Sequence, residues 1–338
     1  MARSSATVVV TQRERFSTSR QSLESLLETV DPAQIVLVDG ASPAETADFL
    51  SAKAREADIR LIRKERFLSP NQARNIGLAA VDTDYVAFVE NDVLFTEGWL
   101  DALVRCAEET GADVVAPLIC QGLPAHETIH HAGGRYHDHP EASAFFLDAQ
   151  GEERDFIEDM IAHGEPLEDH RDTLKREPTG YCEFHCVLVR RSVFEKTGPF
   201  DENMLSTKEH IDFCMGVHQA GGRVYFEPAS VVTYVFPCGA SPLERADWPF
   251  FALRWSDDWG RRSLEHFHAK WRLKKTEYIA DKMKIYSGRR MEGMVRPLVR
   301  RLPIVGQSKF LTRAVCRVIR PFERLRNAQI TAAHARSL

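Results

Sequence analysis

Several features are missing from this sequence of 338 residues, and each absence narrows the class of protein. No run of apolar residues approaches the roughly 18 that a bilayer-spanning helix needs. The chain leads almost at once into the strand-like run Ala6–Val10, which leaves no room for a secretory signal sequence. There is neither an internal repeat nor a low-complexity segment. We therefore expect a cytoplasmic globular protein.

Paired cysteines are also missing. Seven cysteines are scattered along the chain, an odd number, and no two Cys-x-x-Cys pairs face each other. Cys182 and Cys186 flank His185, but no second pair of ligands has the spacing of a zinc site. We expect reduced, buried thiols, as in a reducing compartment.

What is present is the composition of a folded protein with an uneven charge. Hydrophobic residues make up 43% and charged residues 28%, with a net charge of −5, which supports a sizeable core and argues against disorder. Residues 286–338 hold twelve Lys and Arg against two Glu, whereas the rest of the chain is acidic. This asymmetry predicts an anionic partner for the tail.

Strand and helix patterns alternate through the first 120 residues. Short buried runs predict strands at Thr7–Thr11, Ile35–Val38, Ile59–Ile62, Tyr85–Val89 and Asp113–Leu118. Apolar residues at helical spacing predict helices at Ser17–Val30, Ala44–Ala57, Asn71–Ala80 and Gly98–Thr110. Such alternation indicates βαβ units and an α/β fold with a mostly parallel sheet flanked by helices.

The second half of the chain is less regular. Residues 121–180 have weak periodicity and are interpreted as a long excursion over the active face. A strand Glu183–Val189 and a helix Glu209–Ala220 follow, then short strands Val224–Phe226 and Val231–Val235, and the remainder is helical. We predict three parts, which are a domain of residues 1–240, an aromatic-rich helical subdomain of residues 241–285 and a basic amphipathic tail of residues 286–338.

Carboxylates follow two of the predicted strands, in the run Glu90-Asn91-Asp92 and at Asp39. In a parallel sheet, ligands bind beyond the carboxyl ends of the strands. Carboxylate oxygens suit Mg²⁺ and Mn²⁺, and a diphosphate would complete the coordination. The alternatives are a solvated acidic turn at residues 90–92 and a helix cap at Asp39.

Polar residues also share one face of the helix predicted at Asn71–Ala80. Asn71, Arg74 and Asn75 are spaced i, i+3 and i+4. Arg74 is therefore a candidate for charge-assisted bonds to a diphosphate, and the alternative is an ordinary surface arginine.

Acidic residues open the helix predicted at Glu209–Ala220. Glu209 and Asp212 are spaced i and i+3 and face one way. One of these carboxylates, or His210 between them, is a candidate for the group that takes a proton from an attacking hydroxyl. The alternative is that the acids cap the helix and compensate its dipole.

The order of these motifs resembles glycosyltransferase family 2, the inverting nucleotide-sugar transferases with the GT-A fold. The resemblance covers roughly residues 6–236. It rests on the segments Val8–Thr11, Val38–Ser42, Asn71–Gly77, Glu90–Asp92, Trp99, Val187–Phe194, Gly198–Glu202 and Glu209–Asp212.

The resemblance implies a Rossmann-like GT-A domain with a C-terminal helical extension. It implies that a hexose-type sugar moves, with inversion, from a nucleotide-diphosphate sugar to a hydroxyl of a glycan or lipid-linked glycan, as in polysaccharide biosynthesis. A divalent metal, Mn²⁺ or Mg²⁺, would be the cofactor, and no nucleic acid partner is expected. The alternatives are a retaining GT-A transferase or nucleotidyltransferase, or an inactive GT-A domain that binds glycans or acts as a scaffold.

The resemblance also implies roles for individual residues. The nucleotide-sugar would contact Thr11, Asp39, Arg74, Asn75, Glu90 and Asn91. The metal would be held by Asp92 together with Glu90. The acceptor side would carry the catalytic residues Glu209, His210 and Asp212.

Three departures from the family pattern bear on this site. Glu90 stands for the first Asp of the usual Asp-x-Asp motif. His210 replaces the second acid of the usual Glu-Asp pair, so the base stays open among Glu209, His210 and Asp212. Tyr234 occupies the place of a metal-binding His, so metal binding is weaker or a ligand comes from elsewhere.

The basic tail has an amphipathic pattern. Apolar residues recur at helical spacing at Val315, Val318, Ile319, Phe322 and Leu325, with arginines largely elsewhere on the wheel. Two prolines, Pro303 and Pro321, are expected to break it into short pieces. Such a segment can lie on an anionic membrane surface, here the inner face, and the alternative is a solvated or partner-bound helix.

Overall fold

The computed structural model describes residues 6–136, 156, 158–235, 243–273 and 277–336. Its strands are β1 (Ala6–Thr11), β2 (Ile35–Gly40), β3 (Arg60–Lys64), β4 (Tyr85–Glu90), β5 (Val93–Phe95), β6 (Val114–Gln121), β7 (Ile129–His131), β8 (Gly134–Tyr136), β9 (Glu158–Met160), β10 (Glu177–Pro178), β11 (Cys186–Arg190) and β12 (Val224–Tyr234). Its α-helices are α1 (Ser19–Leu27), α2 (Ala44–Glu56), α3 (Pro70–Leu78), α4 (Trp99–Thr110), α5 (Phe194–Thr197), α6 (Glu209–Gln219), α7 (Trp248–Arg254), α8 (Asp257–Lys270), α9 (Glu277–Arg290), α10 (Arg296–Val299) and α11 (Lys309–Ala335).

One large sheet runs through the described structure, with the strand order β10-β12-β6-β11-β4-β1-β2-β3. β1 pairs in parallel with β2 and β4, β2 with β3, and β6 with β12. β11 lies antiparallel between β4 and β6, and β5, β7 and β10 add short antiparallel pairings. Most paired residues lie in parallel ladders, so the predicted α/β fold with a mostly parallel sheet and flanking helices is confirmed.

The central strands are buried on both faces, which explains their nearly continuous apolar runs. Successive side chains of a strand point to opposite faces. Val9 and Val38 accordingly pack in one core, whereas Val8 and Leu37 pack in the other. Because β1, β2 and β4 are parallel, their carboxyl ends meet at one edge of the sheet.

Helix α3 packs closely against β1. Ser69 and Gln72 form a capping box at its start. Gly77 permits the close approach, since a Cβ at this position would lie 2.2 Å from Val9 Cγ1. This packing carries Arg74 to the carboxyl edge of the sheet.

β11 begins later than predicted, at Cys186 instead of Glu183. Glu183 and His185 therefore precede the ladder and reach a cavity at the sheet edge. Elsewhere the two short strands predicted before the C-terminal helices form the single strand β12, with an irregular register between Glu227 and Val231. The predicted excursion contributes the short strands β7 to β10.

The C-terminal helix α11 differs most from the prediction. It is one helix of 27 residues with Pro321 inside it, so the predicted break at Pro321 is wrong. Proline removes one backbone hydrogen bond, but the following turns are held from the side. Glu323 accepts a hydrogen bond from Arg290 at 2.6 Å, and Asn327 donates one to the carbonyl of Ala252 at 2.7 Å.

The apolar side chains of α11 also divide into two sets. Val315 and Ile319 pack against the segment before α11, whereas Val318 and Phe322 are exposed, so the single apolar face of the prediction is two faces. The predicted division between residues 285 and 286 falls inside α9, and the division at residue 240 lies outside the described residues. In the part of the chain that the structure describes, no helix combines the length and the apolar character needed to traverse a bilayer.

Candidate active site

Two cavities of the described structure are considered as sites. A third, of about 390 Å³, is lined by residues around Tyr85 and Arg190 and has none of the predicted site residues in its wall. The larger of the two, about 810 Å³, is mostly apolar, lies between α7, α10 and α11, and has none of the predicted site residues in its wall. The smaller of the two, about 360 Å³, is lined by charged side chains from distant segments, including Arg13, His185, Glu209, His210 and Arg254. Because an active site needs convergent titratable groups, the smaller cavity is the candidate active site.

Glu90, at the end of β4, lies in a buried polar cluster next to this cavity. Arg13 and His185 of this cluster line the cavity, whereas Arg74, Glu90 and Asp92 do not. Its Oε1 accepts a hydrogen bond from Arg74 Nη2 at 2.9 Å, and its Oε2 accepts one from Arg13 Nη1 at 2.7 Å. Burial alone would raise the pKa of Glu90, but Arg13 and His185 reverse this effect, and the pKa lies well below its ordinary value. Glu90 is therefore a buried, ionised carboxylate that two arginines neutralise.

Asp92 and His185 lie beside Glu90 and fit a divalent cation. His185 Nδ1 is 3.0 Å from Glu90 Oε2 and 3.7 Å from Asp92 Oδ1. Asp92 Oδ1 and His185 Nδ1 are both buried, and within the described ranges their contacts to each other and to Glu90 do not have hydrogen-bond geometry. Burial raises the pKa of Asp92, and a bound cation would oppose that shift. Two carboxylates and an imidazole with unsatisfied buried atoms form a ligand set suited to Mn²⁺.

Tyr234, at the end of β12, covers this group. Its ring stacks on His185, with centroids 3.8 Å apart and planes inclined by 28°. Burial raises the pKa of Tyr234 well above its ordinary value, so the phenol stays neutral. The imidazole beside the acids is therefore His185, from the segment before β11, although the family pattern has a histidine at position 234.

A second group of candidate ligands shares His185. His130 and Glu183 offer atoms that lie within 4.8 Å of each other and of a His185 nitrogen. His130 Nδ1 is 3.1 Å from Gln121 Oε1, so one of its two nitrogens already has a protein partner. The neighbouring His131 is fully buried, and burial lowers its pKa to about 4, which makes it a neutral packing residue.

Asp39, at the end of β2, is buried and extensively hydrogen-bonded. Its carboxylate accepts bonds from the Ser42 backbone N–H at 3.1 Å and the Ser42 hydroxyl at 3.0 Å. Gln12 and Arg63 also donate to it. Thr11 is buried at the end of β1, and neither Thr11 nor Asp39 lines the smaller cavity. The structure thus brings both residues to the sheet edge of the β4 acids, but outside the cavity wall.

The two predicted donor-binding asparagines have protein partners. Asn91 accepts a bond from the Arg13 backbone N–H at 2.9 Å and donates to the Arg15 carbonyl at 2.6 Å. Asn75 exchanges bonds with the backbone of Phe200 at 2.9 and 3.0 Å. Each asparagine therefore fixes a loop beside the sheet edge, and a direct contact of either with a donor stays a prediction.

Glu209 begins α6 and lies in the cavity wall. Its Oε1 accepts a hydrogen bond from Arg254 Nη2 at 3.1 Å. Burial alone would raise the pKa of Glu209, but Arg254 and Arg74 outweigh it, and the net shift is downward. Glu209 Oε2 and Arg254 Nε and Nη1 make no hydrogen bond to described residues, so this buried ion pair has hydrogen-bonding capacity left for a ligand.

His210 and Asp212 follow on the same helix but have different surroundings. His210 lines the cavity, with Nε2 3.4 Å from Glu183 Oε1. Asp212 accepts bonds from Trp271 Nε1 at 2.7 Å and from Lys270 Nζ at 2.8 Å, and it is absent from the cavity wall. The end of α8 covers its face of α6, so the structure does not bring Asp212 to Glu209 and His210 in the cavity.

Sequence reasoning misses Arg13, Glu183, His185 and Arg254, although all four line the cavity. Arg13 follows Thr11 by two positions, which was a usable signal. Arg254 lies in an aromatic run whose pattern indicates only a buried helix. It reaches the site because Trp255 Nε1 donates to Glu14 Oε2 at 2.6 Å and so ties α7 to the loop after β1.

The fold and the acidic cluster together define a class of protein. A mostly parallel α/β sheet with acids at its carboxyl edge and helices packed after it is a GT-A type of fold. The solved structure of GalNAc-T7 with UDP, GalNAc and Mn²⁺ matches with a TM-score of 0.51 and 16% identity, over 88% of this chain and 58% of that one. At this identity the similarity shows the fold alone.

The family is shown by the sequence comparison. The model of glycosyl transferase family 2 matches residues 7–198, more than half of the chain, and this chain belongs to that family. Pre-mycofactocin glycosyltransferase of Mycobacterium tuberculosis is 29% identical over 230 residues, which are 68% of this chain and 42% of the relative. Human polypeptide N-acetylgalactosaminyltransferase 15 is 25% identical over 234 residues, which are 66% and 34%. The chain thus spans less than half the length of these curated relatives.

Proposed function

We propose that this chain is an inverting glycosyltransferase that moves a hexose-type sugar from a nucleotide-diphosphate sugar to a hydroxyl of a glycan or lipid-linked glycan. The observation that carries the proposal is that the Glu209–Arg254 ion pair and His210 share one cavity with the Glu90–Asp92–His185 cluster, which reaches the cavity wall through His185. Family membership supports sugar transfer as the reaction class. We propose a cytoplasmic enzyme at the inner face of a membrane.

The metal site of the proposal consists of Asp92 and His185 as direct ligands, with Glu90 beside them. Asp92 and His185 offer unsatisfied buried atoms, whereas both oxygens of Glu90 already accept bonds from arginines. A bound Mn²⁺ or Mg²⁺ would neutralise the charge that develops on the departing diphosphate. The GalNAc-T7 structure was solved with UDP, GalNAc and Mn²⁺, which is the kind of ligand set that we propose here.

Arginines are proposed to bind the diphosphate directly. Arg13 lines the cavity, and Arg254 has two nitrogens without a protein partner in the described part of the chain. A guanidinium forms paired hydrogen bonds to phosphate oxygens. Arg74 is fully buried against Glu90, and we propose that it holds that carboxylate in place. Thr11 and Asp39 are proposed to border the nucleoside, with Asn75 and Asn91 fixing the adjacent loops.

His210 is the proposed catalytic base. Its imidazole is exposed to the cavity and faces the Glu183 carboxylate, which can orient the ring and stabilise it after protonation. The acceptor hydroxyl would give its proton to His210, and its oxygen would attack the anomeric carbon opposite the departing diphosphate, which inverts the configuration. Glu209 is held by Arg254, and Asp212 lies outside the cavity, so neither is the preferred base.

A donor panel with anomer analysis tests this proposal. The chain would be incubated with Mn²⁺, each of several nucleotide sugars and a panel of glycan acceptors, and the product anomer would be determined by NMR. We expect inversion, a loss of about 100-fold or more in kcat for His210→Ala, and substantial recovery in His210→Asp, which has the usual family acid. His170→Ala, outside the cavity, is the matched control. Retention of configuration, or equal rates for His210→Ala and the unmodified chain, would contradict the proposal.

A further inference from the structure

Large apolar side chains are exposed on one part of the molecule. Ten such residues are exposed in the described structure, and eight of them lie between residues 298 and 325. These eight are Leu298, Leu302, Ile304, Phe310, Leu311, Val318, Phe322 and Leu325, which we call the apolar face. Phe310 and Ile304 are 77% and 73% exposed, so the side chains of the apolar face are on the surface and not partly buried core residues. A patch of this kind on a soluble chain marks an interaction surface.

The apolar face on α11 is separate from the side of the helix that packs on the protein. Leu311, Val318, Phe322 and Leu325 are spaced by seven, four and three residues, so they form one stripe. The buried residues of α11 are Thr312, Cys316, Asn327 and Thr331, which form another side of the helix. The stripe therefore lies on a side of α11 that the rest of the described structure does not bury, and it can contact a partner.

Positive charge accompanies the apolar face. Eight basic side chains between residues 300 and 326 are exposed, namely Arg300, Arg301, Lys309, Arg313, Arg317, Arg320, Arg324 and Arg326. The one acid in this range, Glu323, is already paired with Arg290. Arg324 also lies 3.9 Å from Asp257. Exposed aromatic and aliphatic side chains with an excess of arginines match an interface that is apolar at its centre and anionic around it.

The larger cavity adjoins this face. Leu298 and Phe322 belong both to the apolar face and to the wall of the cavity of about 810 Å³. The remaining wall is mostly apolar and includes Trp248, Leu253 and Ile330. A hydrocarbon chain that meets the apolar face would therefore find a continuous apolar path into the molecule.

We infer that the apolar face of α10–α11 and the segment between them is a membrane-docking surface for an anionic phospholipid bilayer. The apolar side chains enter one leaflet, and the arginines contact the lipid phosphates. α11 then lies in the plane of the membrane and does not cross it. This inference is independent of the catalytic proposal, because none of its residues lines the candidate active site.

Vesicle flotation of the full chain, without nucleotide, tests the inference. The probes are vesicles of phosphatidylcholine alone and of phosphatidylcholine with phosphatidylglycerol. We expect binding to the anionic vesicles, weakened by salt, and a partition coefficient at least about tenfold lower for the triple variant Phe310→Ser, Phe322→Ser, Leu325→Ser. Leu123→Ser, an exposed apolar residue far from this segment in sequence, is the matched control and should bind like the unmodified chain.

A second variant separates charge from apolar contact. Arg313→Gln with Arg317→Gln and Arg320→Gln should remove the preference for anionic vesicles. Thermal melting checks that each variant is folded. Because all substituted side chains are exposed, we expect the melting temperatures to match that of the unmodified chain. Three results would overturn the inference. The first is equal flotation of the triple serine variant and the unmodified chain, and the second is no flotation of the unmodified chain. The third is a doubled mass in solution that the serine substitutions abolish, which would make the face a dimer interface.

Discussion

His185 and Tyr234 are stacked face to face, with ring centroids 3.8 Å apart. The family pattern has a metal-binding histidine at position 234, whereas here the imidazole comes from the segment before β11 and the tyrosine covers it. The cation site that we propose should therefore need His185 and tolerate a change at the Tyr234 hydroxyl.

Substitutions of His185 and of Tyr234 should differ in their effect on the affinity for Mn²⁺. His185→Ala should weaken Mn²⁺ binding by at least about 100-fold, because a direct ligand is lost and Asp92 keeps an unsatisfied oxygen. Tyr234→Phe should leave the affinity within about threefold, because the ring that covers the imidazole is kept. Isothermal titration with Mn²⁺ measures both. A larger loss in Tyr234→Phe than in His185→Ala would show that the phenol is the ligand.

The Glu209–Arg254 ion pair should contribute to the free energy of unfolding. Arg254→Met leaves Glu209 buried without its cation, and we expect the free energy of unfolding to fall by about 3–5 kcal/mol. Adding Glu209→Gln should restore most of that loss, because the remaining side chain is neutral. Urea denaturation of the two single variants and the double variant measures the coupling. Strictly additive losses would mean that the two side chains do not stabilise each other.

Asn75 tests whether a predicted donor contact is instead a loop anchor. Asn75→Ala removes its bonds to the backbone of Phe200, and we expect a loss of about 1–3 kcal/mol in the free energy of unfolding. The KM for the donor should stay unchanged in the folded protein. A raised KM without loss of stability would instead make Asn75 a donor-binding residue, as the family resemblance implies.

Acid should destabilise the chain through Glu158. Burial alone would raise the pKa of Glu158, but Lys208 and Lys282 lower it from 4.5 to about 2. The folded state then binds fewer protons than the unfolded state between these values. The contribution is therefore present above pH 4.5 and is lost as the pH falls toward 2, by up to about 3 kcal/mol.

Glu158→Gln isolates this effect. The variant should be less stable at neutral pH, because Lys208 and Lys282 lose their counter-charge, and its stability should depend less on pH between 4.5 and 2.5. Urea unfolding at a series of pH values, compared with the unmodified chain, measures the difference. Parallel curves for the two proteins over this window would contradict the assignment.

The sequence predicts the fold and the site correctly where a local apolar pattern and the parallel topology of the sheet lead to the same structure. Strands β1, β2 and β4 are continuous buried apolar runs, so the sheet edge that gathers Asp39, Glu90 and Asp92 follows from the sequence. The i, i+3 rule places Glu209 and Asp212 on one side of α6, but it cannot say which neighbouring element covers that side. Only the packing of α8 removes Asp212 from the cavity.

The missed residues have a common cause. Arg254 reaches the site through a bond between Trp255 and Glu14, which are 241 positions apart, and no local spacing encodes such a contact. His185 falls inside the predicted strand Glu183–Val189, whereas the observed strand begins only at Cys186 and leaves the imidazole free to reach the sheet edge. Pro321 predicts a break because it lacks a backbone N–H, yet α11 is continuous, and Glu323 and Asn327 after the proline bond to α9 and α7.

The central claim is that a cation held by Asp92 and His185 makes this cavity a diphosphate site. Isothermal titration of UDP, GDP and dTDP, with and without Mn²⁺, tests it on the unmodified chain and on Asp92→Asn. The account predicts that at least one nucleoside diphosphate binds only when Mn²⁺ is present, and that Asp92→Asn weakens this binding by about 100-fold or more. Equal nucleotide affinity with and without the metal, unchanged in Asp92→Asn, would contradict it.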